Sequence, residues 1–497
     1  MDILVGKGEN PVYLKTEMLN RHGLIAGATG TGKTTTLKLI AEDASDLGIP
    51  VFLPDVKGDL FSLSVPNEMN DNEKDRVNKI GLDYSPAAYD IEVWDVFGDL
   101  GHPMRTTISE MGPLLLANLL DLNEVQEGIL NIAFKVADDE GMPILDLKDL
   151  RAMLNYISEN RKEYTSTYGN ISTASIGAIQ RALLLLENDG AEYFFGEPAF
   201  EIDDLFREEG GKGLINILNA KILHQKPRLY TAFMVWLLSE LYEHLPEVGD
   251  QEYPKIIFFF DEAHLLFQYG SKLLTDKLAQ VIRLIRSKGV SVFFVTQRPD
   301  DIPDEILAQL GNKFQHALRA FTPKDRKMIK ETAQNFRDNP NFDTAETLTN
   351  LQSGEALVST LDADGLPNIT EKTLMAPPKS TFDAIDDDSV RALIPGAMDK
   401  KYRKMIDRES AFEILEEKLT KIQEEAEAKA LAEEKRKEDI RRDQDESRAE
   451  RQKRRNKSEL EKAMGKMANQ TIYSMSRTLG NRIMRGILGG IFGGKNR

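Results

Sequence analysis

The chain has 497 residues, 41% of them hydrophobic and 29% charged, and no cysteine. That is enough apolar material for two or three folding units, and it excludes disulfides, cysteine-ligated zinc and cysteine nucleophiles. The formal net charge of −17 is uneven, because residues 396–497 hold 26 Lys and Arg against 19 Asp and Glu, leaving an acidic body with a basic C-terminal part, which is not the pattern of a surface coated in nucleic acid.

The first residues, MDILVGKGENPVYL, lack a basic stretch followed by an apolar one, and runs such as Ile256 to Phe260 are far too short for a membrane span. The sequence is therefore read as cytoplasmic, without a transmembrane segment. The first strong signal is HGLIAGATGTGKTTTLKL, His22 to Leu39. An apolar strand (Leu24, Ile25, Ala26) runs into a glycine-rich turn and then into a helix through Leu37 and Ile40. In that setting the turn is a P-loop. Gly27, Ala28, Thr29, Gly30, Thr31, Gly32, Lys33, Thr34 and Thr35 are the expected nucleotide-binding residues. Backbone N–H groups and the helix N-terminus face a di- or triphosphate, Lys33 reaches the outer phosphates, and the Thr34 hydroxyl suits Mg²⁺.

Val51 to Asp55 and Ile91 to Val96 read as further strands, and strands alternating with helices predict a parallel, doubly wound sheet. Asp55 ends its strand where ligands usually sit in such sheets. The Val56-Lys57-Gly58-Asp59-Leu60 segment after it fits a phosphate-side loop, a partner-side loop and a plain surface turn equally. From Arg105 to about Asn188 the periodicity is helical throughout, as expected of an insertion in the sheet domain. A strand over Leu214 to Leu218 and a helix over Leu229 to Leu245 follow, with Phe233, Trp236, Leu237 and Leu241 spaced for core packing.

Lys255 to Phe260 is an unbroken apolar run ending in Asp261-Glu262, the pattern of a strand buried on both faces. In a P-loop enzyme Asp261 would hold the Mg²⁺ shell with Thr34, and Glu262 would orient and polarise the attacking water. A helix from Leu273 to Ser287 carries Arg283 and Arg286, either of which could act as an arginine finger or simply complement the helix C-terminus. The strand Val290 to Val295 ends in Thr296-Gln297, placing Gln297 where it could touch the γ-phosphate or the water. Strands at Phe314 to Leu318 and Ala356 to Thr360 follow. A loop with Pro377-Pro378 and Asp386-Asp387-Asp388 closes the globular part. Beyond about Asp399 the chain is rich in Glu, Lys, Arg and Ala, as in a solvated helical arm with Phe412, Leu415 and Leu419 as its first apolar stripe. In the last segment Ile472, Met475, Leu479, Ile483 and Ile487 share one helical face, while Arg477, Arg482 and Arg485 point elsewhere. That suits docking in an oligomer or on a protein partner or membrane surface.

Together NRHGLIAGATGTGKTTTL, VFLPDVKGDL, IIFFFDEAHLLF and VSVFFVTQRPDDIP resemble the HerA/FtsK superfamily of P-loop motor ATPases, over roughly residues 1 to 390, and are most similar to the bacterial HerA-like group that includes the YjgR proteins. The resemblance implies a RecA-like P-loop NTPase fold of the α/β class, with a central, mostly parallel sheet. Residues 1–104 and 191–395 would form the core, 105–190 a helical insertion, 396–470 a charged arm and 471–497 a basic, glycine-rich tail. It further implies an ATP- and Mg²⁺-dependent motor that assembles as a homo-oligomeric ring, usually a hexamer, and translocates on or unwinds duplex DNA. Glu262, Gln297 and Arg286 or Arg283 would be its catalytic residues, the arginine serving the neighbouring subunit. HerA proteins proper carry a small β-barrel ahead of the P-loop, where this sequence has about twenty residues. Two other readings compete. Asp261-Glu262-Ala263-His264 also spells a DEAH box, but the space after Gln297 is too short for a second RecA-like domain. An ATP-driven scaffold acting on a protein partner is the other.

Overall fold

The computed structural model describes the backbone of residues 2–484, and side chains through residue 466 apart from 422, 423, 425 and 426. Residues 1–415 form one compact unit. At its centre is a twelve-stranded sheet: β1 (Ile3–Lys7), β2 (Pro11–Leu14), β3 (Gly23–Ala26), β4 (Val51–Asp55), β5 (Ile91–Asp95), β6 (His102–Pro103), β7 (Ile215–Asn219), β8 (Ile256–Phe260), β9 (Val290–Thr296), β10 (Asn312–His316), β11 (Glu355–Ser359) and β12 (Glu371–Met375). The spatial order is β2-β1-β12-β11-β10-β3-β9-β8-β4-β7-β5-β6. The pairs from β10 across to β6 are parallel, and those from β10 out to β2 are antiparallel.

The apolar runs are buried on both faces because successive side chains of a strand point to opposite sides. Ile256, Phe258 and Phe260 of β8 join one core cluster, while Ile257 and Phe259 join the other. The first cluster is completed by the helices α3 (Ile108–Leu119), α4 (Glu124–Glu140), α5 (Leu147–Glu159) and α7 (Thr173–Asn188), together with α8 (Pro227–His244) and α10 (Lys272–Ile285). The other is covered by α1 (Lys33–Asp46). The short α2 (Asp71–Ile80), α6 (Arg161–Tyr168) and α9 (His264–Tyr269) complete the set as far as β9.

Four features differ from expectation. The first twenty residues build the hairpin β1–β2, whose Ile3, Val5, Val12 and Leu14 enter the core. A third strand, β12, follows the two expected after β9 and joins that hairpin to β11. Asp386 is an N-cap, accepting from Ser389 N, for a helix Asp387–Leu393 in place of a loop. Packing also continues past residue 396, since Tyr402, Ala411 and Leu415 are buried in the first core cluster.

Glu416 onward is a separate unit, helical as far as Met484. Residues 427–466 are exposed all round, as a helix without an apolar stripe should be. The expected apolar face of residues 472–487 lies outside the residues whose side chains are described. Among the described residues no helix is long and apolar enough to cross a membrane.

Candidate active site

Parallel strands bring their C-terminal ends to one edge of the sheet, and loops from several strands meet there. β9 lies between β3 and β8, so the glutamine after β9 falls between the P-loop and the acid pair. The ladder continues into these loops: Gly27 N–H donates to Thr296 O (3.3 Å), Ala28 N–H to Ala317 O (2.9 Å) and Ala263 N–H to Val295 O (3.0 Å). A cavity of about 230 Å³ results, lined among others by Gly30, Lys33, Thr34, Thr35, Asp261 and Glu262.

The P-loop is held by bonds of its own and by bonds from outside. Thr31 Oγ1 donates to Ala28 O at 2.7 Å, Ser353 Oγ to Gly30 O at 3.2 Å and Gly354 N–H to Thr31 O at 3.1 Å. His316, at the end of β10, pairs with Thr36 Oγ1 (2.9 Å) and Glu355 O (3.0 Å) beneath the loop. A Cβ on Gly27 would come within 2.5 Å of His316 Cβ, and Gly27 has φ 153°, so this position excludes any side chain. Gly32, the N-cap of α1, provides no side chain to its first turn, which leaves donors free for an anionic ligand. Lys33 Nζ folds back onto Gly27 O (2.7 Å) and Ala28 O (3.3 Å). Burial holds its ammonium below the usual lysine range, opposed by Glu262.

The acid pair is asymmetric. Asp261 Oδ1 accepts from Glu262 N–H at 2.9 Å, and the Asp261 carbonyl accepts from the buried Tyr230 hydroxyl of α8 at 2.7 Å. Burial, then the neighbouring Glu262, push the Asp261 carboxyl up to about 7. A divalent cation would relieve such a pair of crowded acids. Glu262 takes a left-handed backbone, φ 47°, rare for a residue with a Cβ and a recurrent mark of functional positions. Its carboxylate lies 3.5 Å from Gln297 Nε2 and 3.3 Å from His264 Nδ1.

Lys57, Asp59 and Leu60 also line the cavity, so part of that segment borders the site. Asp55 acts one step back, accepting from Lys57 N–H (3.1 Å), Gly58 N–H (2.6 Å) and Leu60 N–H (2.9 Å). Arg283 and Arg286 are elsewhere. They line a second cavity of about 410 Å³ with Arg21, His22 and Lys313, beside the N-terminal ends of β3 and β10. Arg286 donates to both carboxylate oxygens of Asp250, at 2.8 and 2.9 Å.

The family model for the Helicase HerA-like C-terminal family matches residues 1–497. The chain belongs to that family. Relatives similar to this family member include the DNA double-strand break repair helicase HerA of Sulfolobus acidocaldarius, 24% identical over 374 residues, covering 72% of this chain and 66% of that protein. The protein of the same name from Saccharolobus solfataricus is 25% identical over 363 residues, covering 71% of this chain and 64% of that one. The match thus spans slightly less than two thirds of these HerA relatives. Among solved structures, the unbound bacterial conjugative coupling protein TrwBΔN70 shares the fold, with a TM-score of 0.50 at 16% identity over 76% of this chain and 90% of that one. A large, mostly parallel sheet flanked by helices is common to both.

Proposed function

We propose that this HerA-family protein is an ATP-hydrolysing motor that assembles as a ring of like subunits, with a hexamer the expected size, and moves on duplex DNA. The observation that carries this reading is the convergence of an uncapped P-loop helix, two adjacent carboxylates and a strand-end glutamine at one edge of a parallel sheet. The donors fit a magnesium–triphosphate. Among the described residues no cluster of three or more His, Asp or Glu forms a metal cage, and Mg²⁺ commonly takes one or two protein ligands, its remaining ligands being phosphate and water. Thr34 and Asp261 would be those ligands, and the bound ion would neutralise charge developing on the phosphates.

Gly27 through Thr35 would bind the phosphate chain, with Lys33 leaving the carbonyls of Gly27 and Ala28 for it. Glu262 would orient water and take its proton, with Gln297 reading the γ-phosphate. Support for a polyanionic track comes from the segment after β10. Phe321 is 88% exposed, and Arg319, Lys324, Arg326, Lys327 and Lys330 around it are exposed as well, a basic and aromatic face on an acidic body. Arg298, next to Gln297, pairs with Asp300 and lies 3.8 Å from Asp325 of the helix Pro323–Gln334. The basic face is thereby linked to the glutamine.

Phosphate release measured with and without duplex DNA tests the reading. The expected result is stimulation by DNA that fades as salt rises, with Lys33→Ala losing nucleotide binding and Glu262→Gln binding nucleotide without hydrolysing it. Turnover indifferent to DNA at every low salt concentration would remove DNA from the proposal and favour a protein partner. Parent-rate turnover by Glu262→Gln would overturn the role given to that residue.

A further inference from the structure

We propose that Lys57 is a second phosphate-binding cation of this site, donating from its ammonium to a non-bridging oxygen of the γ-phosphoryl group. This rests on reading the cavity as an ATP-hydrolysing site, and it adds a catalytic residue that the P-loop, acid pair and glutamine do not supply.

Lys57 lines the same cavity as Lys33, Thr34, Asp261 and Glu262. Among the described residues it has no ion-pair partner within 4 Å, whereas Lys221, against the same loop, is tied to Asp387 at 2.9 Å and lies over the Phe61 ring.

The loop itself is built to one path. Asp55 is fully buried, and its carboxylate accepts from three backbone donors of the loop, those of Lys57, Gly58 and Leu60. Gly58 has φ 83°, a left-handed backbone that favours glycine over residues with a Cβ. Burying a carboxylate is costly unless its hydrogen bonds are satisfied. Here they are satisfied by the backbone that carries Lys57.

During hydrolysis the water oxygen bonds to Pγ while the bond from Pγ to the β,γ-bridging oxygen breaks. The electron pair of that bond leaves with ADP, and the water proton passes to Glu262 and on to solvent. Charge shifts over the γ-phosphoryl oxygens and the bridging oxygen as this happens. Lys33, whose Nζ leaves the carbonyls of Gly27 and Ala28, lies at the base of the P-loop. Lys57 approaches from the strand on the far side of the acid pair, so the two ammonium groups bracket the transferring group. A cation that gains more from the transition state than from bound nucleotide raises turnover without tightening product.

The test compares the parent with Lys57→Met and Lys57→Arg, using turnover and the affinities of fluorescent Mg·ADP with and without aluminium fluoride. For Lys57→Met, kcat is expected to fall about 100-fold, and affinity for the aluminium fluoride complex by a similar factor, with Mg·ADP affinity within about 3-fold of the parent. Lys57→Arg is expected to recover a substantial part of both losses. Lys57→Met turning over within about 3-fold of the parent would overturn the proposal, as would equal losses of affinity for both complexes. If the parent neither hydrolyses ATP nor binds Mg·ADP, the hydrolase reading falls and the lysine with it. An active parent beside an equally active Lys57→Met removes the lysine alone.

Discussion

Glu262 and His22 are non-glycine residues with left-handed backbones, at φ 47° and 58°, and they mark opposite ends of the central strands. His22 is 2% exposed. Its Nδ1 accepts from Val292 N–H at 3.1 Å, so its Nε2–H donates to Ile282 O at 2.8 Å. The ring is thereby fixed as the neutral Nε2 tautomer, and protonation would break the bond from Val292. Burial pushes its pKa down to about 4. Between pH 6.5 and 4 the unfolded chain therefore binds a proton that the folded chain refuses. Stability present above pH 6.5 is lost as pH falls through that window, by up to about 3 kcal/mol. Urea unfolding at pH 7 and at pH 4.5 checks this: His22→Gln starts less stable than the parent but should lose less between the two. An equal loss in both proteins would remove His22 as a source of the acid sensitivity. His316, buried and likewise pushed down to about 4, adds to the parent's slope and remains in the variant.

The elements that were legible in the sequence are those whose signal is local. The P-loop, the strand Ile256–Phe260 with its two acids, and the glutamine after Val290–Thr296 each announce themselves within about ten residues, and all three fall together in space. The hairpin β1–β2 and strand β12 escape such reading because strands of four or five residues take their stability from neighbours distant in sequence, β12 lying between β1 and β11. Tyr230, His316 and Ser353 reach the site only through tertiary packing. Tyr230 lies on a helix whose apolar spacing says only that it is buried, and no spacing rule links Ser353 to Gly30. α1 shows the same dependence. Lys38, 1% exposed, donates to Ser62 Oγ at 3.0 Å and to the carbonyl of Thr381. One turn later Glu42 accepts from Lys379 N–H and from the N–H and hydroxyl of Ser380. The helix that presents the P-loop is thus fastened at two charges to a segment some 340 residues away. Lys38→Met should cost about 3 kcal/mol, because it leaves two buried acceptors without their donor and removes a positive charge that favours the buried Glu42 carboxylate, and Lys38→Met with Glu42→Gln should recover part of that. Thermal or urea unfolding of the three variants decides it. A double variant as unstable as the sum of the single ones would show that the two charges do not act on each other.

At the scale of the molecule the P-loop cavity and the arginines occupy opposite edges of one sheet. The cavity bounded by Lys33 and Glu262 lies at the C-terminal ends of the strands, and that bounded by Arg21, Arg283, Arg286 and Lys313 lies at the other ends. With the proposed triphosphate bound at one edge, a cationic cavity at the other would be complementary to it in a copy placed head to tail, and such contacts close into rings when the rotation allows. Within one chain Arg286 cannot serve phosphates that Lys33 would bind, and its guanidinium is occupied by Asp250. If it acts, it acts on a neighbour after leaving that carboxylate. Arg286→Ala and Glu262→Gln should then each be inactive alone, through different halves of a shared site. Mixing them creates interfaces that pair an intact Glu262 with an intact Arg286. Phosphate release should rise from near zero to a maximum at intermediate mixing ratios and fall again toward either pure variant, and the same experiment with Arg283→Ala identifies which arginine is used. Mixtures that stay inactive at every ratio for both arginines would mean that the cationic cavity has no part in hydrolysis, and the head-to-tail arrangement would lose its electrostatic argument.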